Sequence, residues 1–279
     1  MEAGIPRAWI ITLGNEVLLG EVENTNAGWL ARRLTSMGIM VRRIVTSPDD
    51  EESVGVIREA ARSAEVVVTT GGLGPTYDDR TMYLISLALN LPLETNQRAL
   101  EIVRRRVTER GFELTPARLK MAEMPAGAEP LDNRVGTAPG AVIRHNGSII
   151  ISLPGVPAEM EPMFEEAAAK YLSGIARGPP CRREATFEGI VEADLADVLL
   201  ELSRRGSAYV KTQPRGRPGS PAVRIIVISF RGDCDEAFRR LEEAALAAGG
   251  RPAQATGQRR SCSRRRPRRR GLRAGSSRV

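Results

Sequence analysis

The chain has 279 residues, 42% of them hydrophobic and 27% charged, which is the composition of a folded globular protein with room for one large domain and a small one. Its formal charge of +7 says nothing about the ligand of the body, because eleven of the 41 basic residues lie in Arg251–Val279, which holds no acid, and the first 250 residues carry 30 basic against 34 acidic groups, a net of −4. No apolar run approaches the roughly 20 residues of a membrane span, no secretory signal opens the chain, and three scattered cysteines (Cys181, Cys234, Cys262) without a CxxC pair argue against a disulfide scaffold or zinc site and fit a reducing cytoplasm.

Ala8–Leu13 is a predicted strand that runs into Gly14-Asn15-Glu16-Val17-Leu18-Leu19-Gly20. A helix begins near Asn24-Thr25-Asn26, whose side chains suit an N-cap, and Trp29, Leu30, Leu34 and Met37 give it an apolar face. Met40–Val45 is a second strand, and Ser47-Pro48-Asp49-Asp50 starts a helix ending at Ala64. Val66–Thr70 is β-branched and reads as a buried third strand. It leads into Gly71-Gly72-Leu73-Gly74-Pro75-Thr76-Tyr77-Asp78-Asp79 and then a helix over Arg80–Leu89. Strands alternating with such helices imply a parallel sheet. A further helix spans Asn96–Arg110, and a less regular stretch leads to Asn133–Gly140. His145-Asn146-Gly147 between apolar arms is a hairpin signal. Its second arm ends in Leu153-Pro154-Gly155-Val156-Pro157, before a helix to about Leu172. Ser173–Pro180 is a linker by its Gly and Pro content, and the following 70 residues, in the order βαββα, form a small α+β unit. The domains expected are thus 1–175, 181–250 and a tail at 251–279. The tail has no periodicity and should be disordered. It is either an arm attracted to polyanions or an extension without function, and its composition favours the second.

The glycine-rich loops stand at strand ends that lead into helices, and in an open parallel sheet such ends share one rim, where ligands bind. Gly14–Gly20, Gly71–Asp79 and Pro154–Met160 should therefore converge, with Gly136–Gly140 in reach. Their chemistry is acidic and amide-rich: Glu16, Asp78, Asp79 and Glu159 beside the hydroxyls of Thr69, Thr70, Thr76 and Thr137. Amides of a glycine turn suit phosphate, and paired aspartates suit a hard divalent cation. Each acid also has a plainer account. Asp78 and Asp79 could cap the next helix, Asn24 and Asn26 could cap theirs, Glu16 could be a solvated loop residue, and Glu159 could complement a helix dipole. His145 and the cysteines have no partner that would make them catalytic.

Thr69-Thr70-Gly71-Gly72-Leu73-Gly74-Pro75-Thr76-Tyr77-Asp78-Asp79 resembles the signature loop of the molybdopterin-binding, MoaB/MogA-like fold, in the form of its CinA (competence/damage-inducible protein) branch. Gly14–Gly20 with Asn24-Thr25-Asn26, Asn133–Gly140 and Leu153–Met160 continue the resemblance over about Ile11–Leu172. It implies a three-layer α/β/α domain with a mostly parallel sheet, followed by a small KH-like α+β domain, in a cytoplasmic homo-oligomer. It also implies a metal-dependent pyrophosphatase acting on ADP-ribose-type nucleotides, or alternatively a protein that binds molybdopterin, free or adenylylated, without hydrolysing it. On the first, Asp78, Asp79 and Glu16 are catalytic, Asp78 and Asp79 hold Mg, Mn or Co, and the ligand meets Gly14, Asn15, Thr69, Thr70, Gly71, Gly72, Gly74, Thr76, Gly136, Thr137, Pro154 and Gly155. The partner expected is a small nucleotide or pterin, with nucleic acid reached only by the tail, if at all, and no membrane. The family's nicotinamide-mononucleotide deamidase domain has no counterpart in these residues. One departure is that Asn15 stands where the family often has Asp, which shifts any metal role to Glu16, Asp78 and Asp79.

Overall fold

The structure, a computed structural model, describes residues 4–206, 208–217, 219–232 and 234–253. They fall into two compact units that meet in sequence between Pro180 and Cys181. In the first unit the chain runs β1 (Arg7–Leu13), α1 (Asn15–Leu18), α2 (Thr25–Ser36), β2 (Met40–Ser47), α3 (Glu52–Ser63), β3 (Val66–Thr70), α4 (Thr81–Leu89), β4 (Leu93–Thr95) and α5 (Gln97–Glu109). It continues with α6 (Pro116–Leu119), β5 (Glu123–Pro125), β6 (Glu129–Leu131), β7 (Gly140–His145), β8 (Ser148–Leu153) and α7 (Pro157–Ala167).

Six strands form one sheet in the order β2-β1-β3-β8-β7-β6. The first four are mutually parallel, and β7 and β6 add an antiparallel edge. The β7–β8 hairpin turns at Asn146 (φ 47°) and Gly147 (φ 87°), the two positive-φ positions that an Asn-Gly turn supplies. Side chains alternate across this sheet into two cores. Trp9, Ile11, Leu13, Val67 and Ile150 pack with Ile57, Leu84, Ile85, Ala99 and Val103 of α3, α4 and α5. Ala8, Ile10, Val66, Val68 and Ile151 pack on the other face with Leu30 and Leu34 of α2 and Met160, Met163 and Phe164 of α7. The result is three layers, α/β/α, as expected. The helices α2 and α5 are N-capped by Asn24 and Asn96, whose side chains accept the amides of Ala27 and Ala99.

Register decides where the loops go. Thr12 sits opposite Thr46 of β2 and Thr70 of β3, and Thr70 sits opposite Leu153 of β8. Four parallel strands therefore end in one row, and the segments that leave them share a rim.

In the second unit, β9 (Cys181–Glu188), α8 (Ala196–Arg205), β10 (Tyr209–Pro214), β11 (Ala222–Ser229), α9 (Cys234–Ala247) and β12 (Arg251–Pro252) follow one another. Its antiparallel sheet has the order β10-β11-β9-β12 and packs Phe187, Val223, Ile225 and Val227 against Leu202 and Leu241 of the helices. Two expectations are corrected here. The ordered unit does not stop at residue 250, because Arg251 and Pro252 pair with Glu188 and Phe187 at the free edge of β9, and the Ala253 amide donates to the Thr186 carbonyl (2.8 Å). Cys181 and Cys234 are joined in a disulfide (Cα–Cα 5.9 Å), where scattered spacing argued against one. Strand β9 and the start of α9 bring together residues 53 positions apart, which spacing alone does not report. The arginine-rich tail from 254 onward, with Cys262, lies outside the described residues. Among the described residues no helix is long and apolar enough to cross a membrane.

Candidate functional site

The rim encloses a cavity of about 680 Å³, within the range of small-molecule sites. Its wall takes Glu16 and Val17 from the first loop, Asn24 and Asn26 from the start of α2, Gly71–Pro75 and Asp79 from the third strand's loop, and Pro154–Pro157 with Glu159 from the eighth. Thr137 and Ala138 close another side.

Glycine is needed where these loops touch. Gly71 has φ +100°, and a Cβ there would lie 2.1 Å from the Leu13 carbonyl oxygen. Gly72 has φ +62°, and its Cβ would meet the Thr81 hydroxyl at 2.4 Å, the same hydroxyl that donates to the Gly71 carbonyl (2.8 Å). Three other glycines make room for carboxylates. A Cβ on Gly14 would fall 2.7 Å from Glu16 Oε1, one on Gly74 2.6 Å from Asp79 Oδ2, and one on Gly136 2.0 Å from Glu159 Oε2. Each of three rim acids thus folds back over a glycine backbone.

The amides divide into those already bonded and those that are not. Gly71 N–H donates to the Leu153 carbonyl (3.0 Å), tying the third strand's loop to the eighth, and Thr76 N–H donates to Asp79 Oδ2 (2.8 Å). Among the described residues, the N–H groups of Gly72, Leu73 and Gly74 have no hydrogen-bond partner. Three consecutive unpaired amides on a cavity wall are the donor set of an anion site.

The acids gather at one corner. Asp79 is held by the Thr76 amide and hydroxyl (2.5 Å), and the same hydroxyl contacts Asp78. A hydroxyl has one hydrogen, so it cannot serve both carboxylates at once. Neither aspartate caps α4, whose N-cap position is Arg80 without a side-chain cap bond. The Thr76 hydrogen bond, Asp78's own backbone amide and the Lys120 charge hold the Asp78 carboxyl below the usual range. Lys120 itself donates to the Thr76 carbonyl (2.5 Å).

Asp49 is a further member that sequence reasoning missed. It is not part of a helix cap: its Oδ2 accepts the Asn15 amide (2.9 Å), and its Oδ1 lies 3.5 Å from where a Gly72 Cβ would be. Burial pushes its carboxyl up, the Asn15 amide opposes that, and the charges of Glu16, Asp78 and Asp79 push it up further. Asn15, expected to contact ligand, instead positions Asp49 through its backbone.

Four neighbouring carboxylates, with Lys120 as the cation beside Asp78, are a hard-oxygen donor set that fits a divalent cation. They do not form a closed cage. Among the described residues the one group of three acid, Cys or His side chains with ligand atoms mutually within 4.8 Å is Cys181, Cys234 and Asp235, whose sulfurs are bonded to each other. A cation at the corner would rest on one or two carboxylates and take its other ligands from phosphate and water, which is the usual manner of magnesium.

A partly buried polar chain runs along the cavity wall. Thr70 Oγ1 donates toward Thr12 Oγ1 (3.5 Å), Thr12 Oγ1 to Asn24 Oδ1 (3.2 Å), and Asn24 Nδ2 to Thr46 Oγ1 (3.2 Å). Asn26 is 7% exposed and is not a cap: its Nδ2 donates to the Gly155 carbonyl (2.7 Å), while its Oδ1 has no partner among the described residues.

Of the residues expected to meet a ligand, Glu16, Thr70, Gly71, Gly72, Gly74, Asp79, Thr137, Pro154 and Gly155 stand on the wall. Thr69 does not: it is fully buried, with its hydroxyl on Ser152 (2.9 Å) inside the sheet. Gly14, Asn15, Thr76, Asp78 and Gly136 are not on the wall; Gly14 and Gly136 make room for the Glu16 and Glu159 carboxylates that are. Glu159 accepts Asn133 Nδ2 (2.7 Å), and Asn133 Oδ1 in turn takes the amides of Val135 and Gly136.

The loops themselves carry no basic cluster, but α6 and the end of α5 supply cations to the rim. Arg118 stands on the cavity wall beside Phe112, and Arg110 donates to the Thr137 hydroxyl (2.6 Å) and the Val135 carbonyl.

All four expected loops fall within residues 9–174, which match a family model described as "Probable molybdopterin binding domain". A protein of Aeropyrum pernix is 48% identical over 236 residues, covering 83% of this chain and 88% of its own. One of Pyrobaculum aerophilum is 46% identical over 243 residues, covering 85% and 91%. Among solved structures, the crystal structure of the protein CinA with unknown function from Thermoplasma acidophilum is 39% identical, with a TM-score of 0.55, and covers 58% of this chain and 97% of that one.

Proposed function

The chain belongs to the family of probable molybdopterin-binding domains, among its CinA-like members, and from that membership we propose that its first unit is a metal-dependent pyrophosphatase of ADP-ribose-type nucleotides. The observation that carries the proposal is a set of three amides, Gly72 to Gly74, unpaired among the described residues, on the wall of a cavity large enough for a nucleotide, with Glu16 and Asp79 also on its wall and Asp49 and Asp78 near them.

In this assignment the amides of Gly72, Leu73 and Gly74 take the oxygens of the diphosphate and the charge that grows on them in the transition state. Arg118 adds positive charge to the same wall. Asp79, fixed by Thr76, and Asp78, with Asp49 alongside, would hold a divalent ion, which would supply charge neutralisation at the phosphate and a more acidic water. The Glu16 carboxylate stands on the wall with no hydrogen-bond partner among the described residues, so it can take the proton from the attacking water. Water oxygen bonds to one phosphorus, the bridging P–O bond breaks, and AMP and ribose 5-phosphate leave.

The test is phosphoanhydride cleavage of ADP-ribose, FAD and NAD by purified protein, with and without magnesium, manganese or cobalt. Metal-dependent cleavage should fall by about 100-fold or more in the Asp78→Ala/Asp79→Ala variant. Full turnover in that variant would sink the assignment. A second reading is that the cavity binds molybdopterin, free or adenylylated, without hydrolysing it. Saturable pterin binding with no cleavage of any nucleotide would select it.

A further inference from the structure

The amides and acids suit the phosphate end of a ligand, while another part of the cavity lining is built differently. It comes from the connection between α5 and α6, a stretch that the family loops do not include. Phe112 is the one aromatic residue on the wall of the 680 Å³ cavity among the described residues, and it remains 52% exposed.

Its ring is held in place rather than left loose. Gly111 turns the chain with φ +67°, and the Phe112 amide donates back to the Val107 carbonyl (3.0 Å) at the end of α5. The Arg118 guanidinium lies over the ring, 4.8 Å from its centroid, and is itself fixed by a bond from Nη1 to the Glu113 carbonyl (2.5 Å). Flanking residues pin the segment to the loops of the site. Arg110 holds Thr137 (2.6 Å) on one side, and Lys120 holds the Thr76 carbonyl (2.5 Å) on the other. An exposed aromatic ring, braced by a cation and tied at both ends to the phosphate rim, loses little entropy when a flat ligand stacks on it. Val17, Val22, Val156 and Met121 add apolar surface to the cavity lining.

We infer that Phe112, backed by Arg118, is the stacking surface for a planar heteroaromatic ring of the ligand, so that the site takes a base-bearing phosphate in preference to a sugar phosphate. This deepens the nucleotide assignment and rests on it. Base–aromatic stacking, measured by alanine substitution, changes affinity by about 5- to 150-fold.

The test is calorimetric titration of the full chain, in magnesium, with AMP and with ribose 5-phosphate. The two share a 5-phosphate on ribose and differ in the base. The wild-type chain should bind AMP about tenfold more tightly or better. Phe112→Ala should remove that preference by weakening AMP, with ribose 5-phosphate little changed, and Phe112→Trp should keep it. Unchanged thermal unfolding of both variants would show that the fold is intact. A preference that survives Phe112→Ala, or one removed instead by Tyr77→Ala on the neighbouring 310 Å³ cavity, would overturn the inference. ADP-ribose cleavage, followed in parallel, separates the two claims. An AMP preference lost in Phe112→Ala without any cleavage would leave the stacking surface standing and remove the hydrolase. Cleavage with an unchanged KM in Phe112→Ala would do the reverse. No AMP binding together with no cleavage by the wild-type chain would remove both.

Discussion

Asp49 and Asp78 sit at one corner and titrate in opposite directions. Burial and three neighbouring carboxylates raise Asp49, so ionised Asp49 opposes folding. Its stability term is fully present below the ordinary carboxylate pKa and is lost as pH rises through the raised folded value. Asp78 is lowered, so its term is present above the ordinary value and lost as pH falls through the folded one. Asp49→Asn keeps an acceptor for the Asn15 amide and removes a charge. In metal-free protein it should raise the unfolding temperature at neutral pH, and the gain should disappear under acid conditions where Asp49 is protonated in both states. A thermal-unfolding series over pH measures this, and a gain that persists undiminished in acid would contradict it. With a divalent ion present the sign should reverse, because the variant loses a carboxylate at the cation corner. Gly71 gives a sharper case. Its φ of +100° and the 2.1 Å approach to the Leu13 carbonyl leave no place for a methyl group. Gly71→Ala should cost more than about 2 kcal/mol in chemical denaturation, through strain and through displacement of the loop. At this scale sequence spacing was informative about glycines and acids and silent about partners. Pro48-Asp49-Asp50 looks like any helix start, and only the register of β2 beside β1 brings Asp49 to Asn15.

At the scale of elements, α2 shows how a cap can belong to a site. Asn24 accepts the Ala27 amide, as N-caps do, and also joins the chain of hydroxyls from Thr70 and Thr12 to Thr46. Asn24→Ala should therefore cost the 1 kcal/mol or so of a lost cap plus part of the network, about 2 kcal/mol in total. Asn24→Asp, which retains the cap, should cost less. Equal losses in the two variants by urea titration would mean that the cap contributes nothing. The strand–loop–helix units of the first unit were legible because β-branched runs, glycine turns and helical periodicity all repeat there. The wall made by Phe112 and Arg118 was not legible, since nothing in the residues 110–118 says which rim a short connection reaches. Thr69 shows the opposite failure. It lies inside the signature loop in sequence, but alternation along β3 turns its hydroxyl to Ser152 in the sheet.

For the whole molecule, the two units differ in what stabilises them. The first has two apolar cores, one on each face of its sheet. The second is small, with one core, and its disulfide links residues 53 apart. A cross-link of that span restricts the unfolded chain by about 4 kcal/mol in the entropic account, which is large for a unit of some 70 residues. Reduction should lower the unfolding temperature of the second unit by about 10 °C or more and leave the first unchanged. Calorimetry with and without reductant tests this, and a single transition unmoved by reductant would refute it. The bond escaped the sequence because cysteine spacing carries no information about which strand end faces which helix start.

Those four parallel strands ending in a row have a consequence in time. Thr69 and Ser152, neighbours in the sheet, are 83 residues apart in the chain, so the cavity floor cannot close until β8 has been made and has found β3. A growing chain that has already produced the glycine loop and its aspartates still has no pocket. Affinity for ligand should then arrive all at once, when β8 docks, and bound ligand should slow the opening of the entire first unit rather than of one loop.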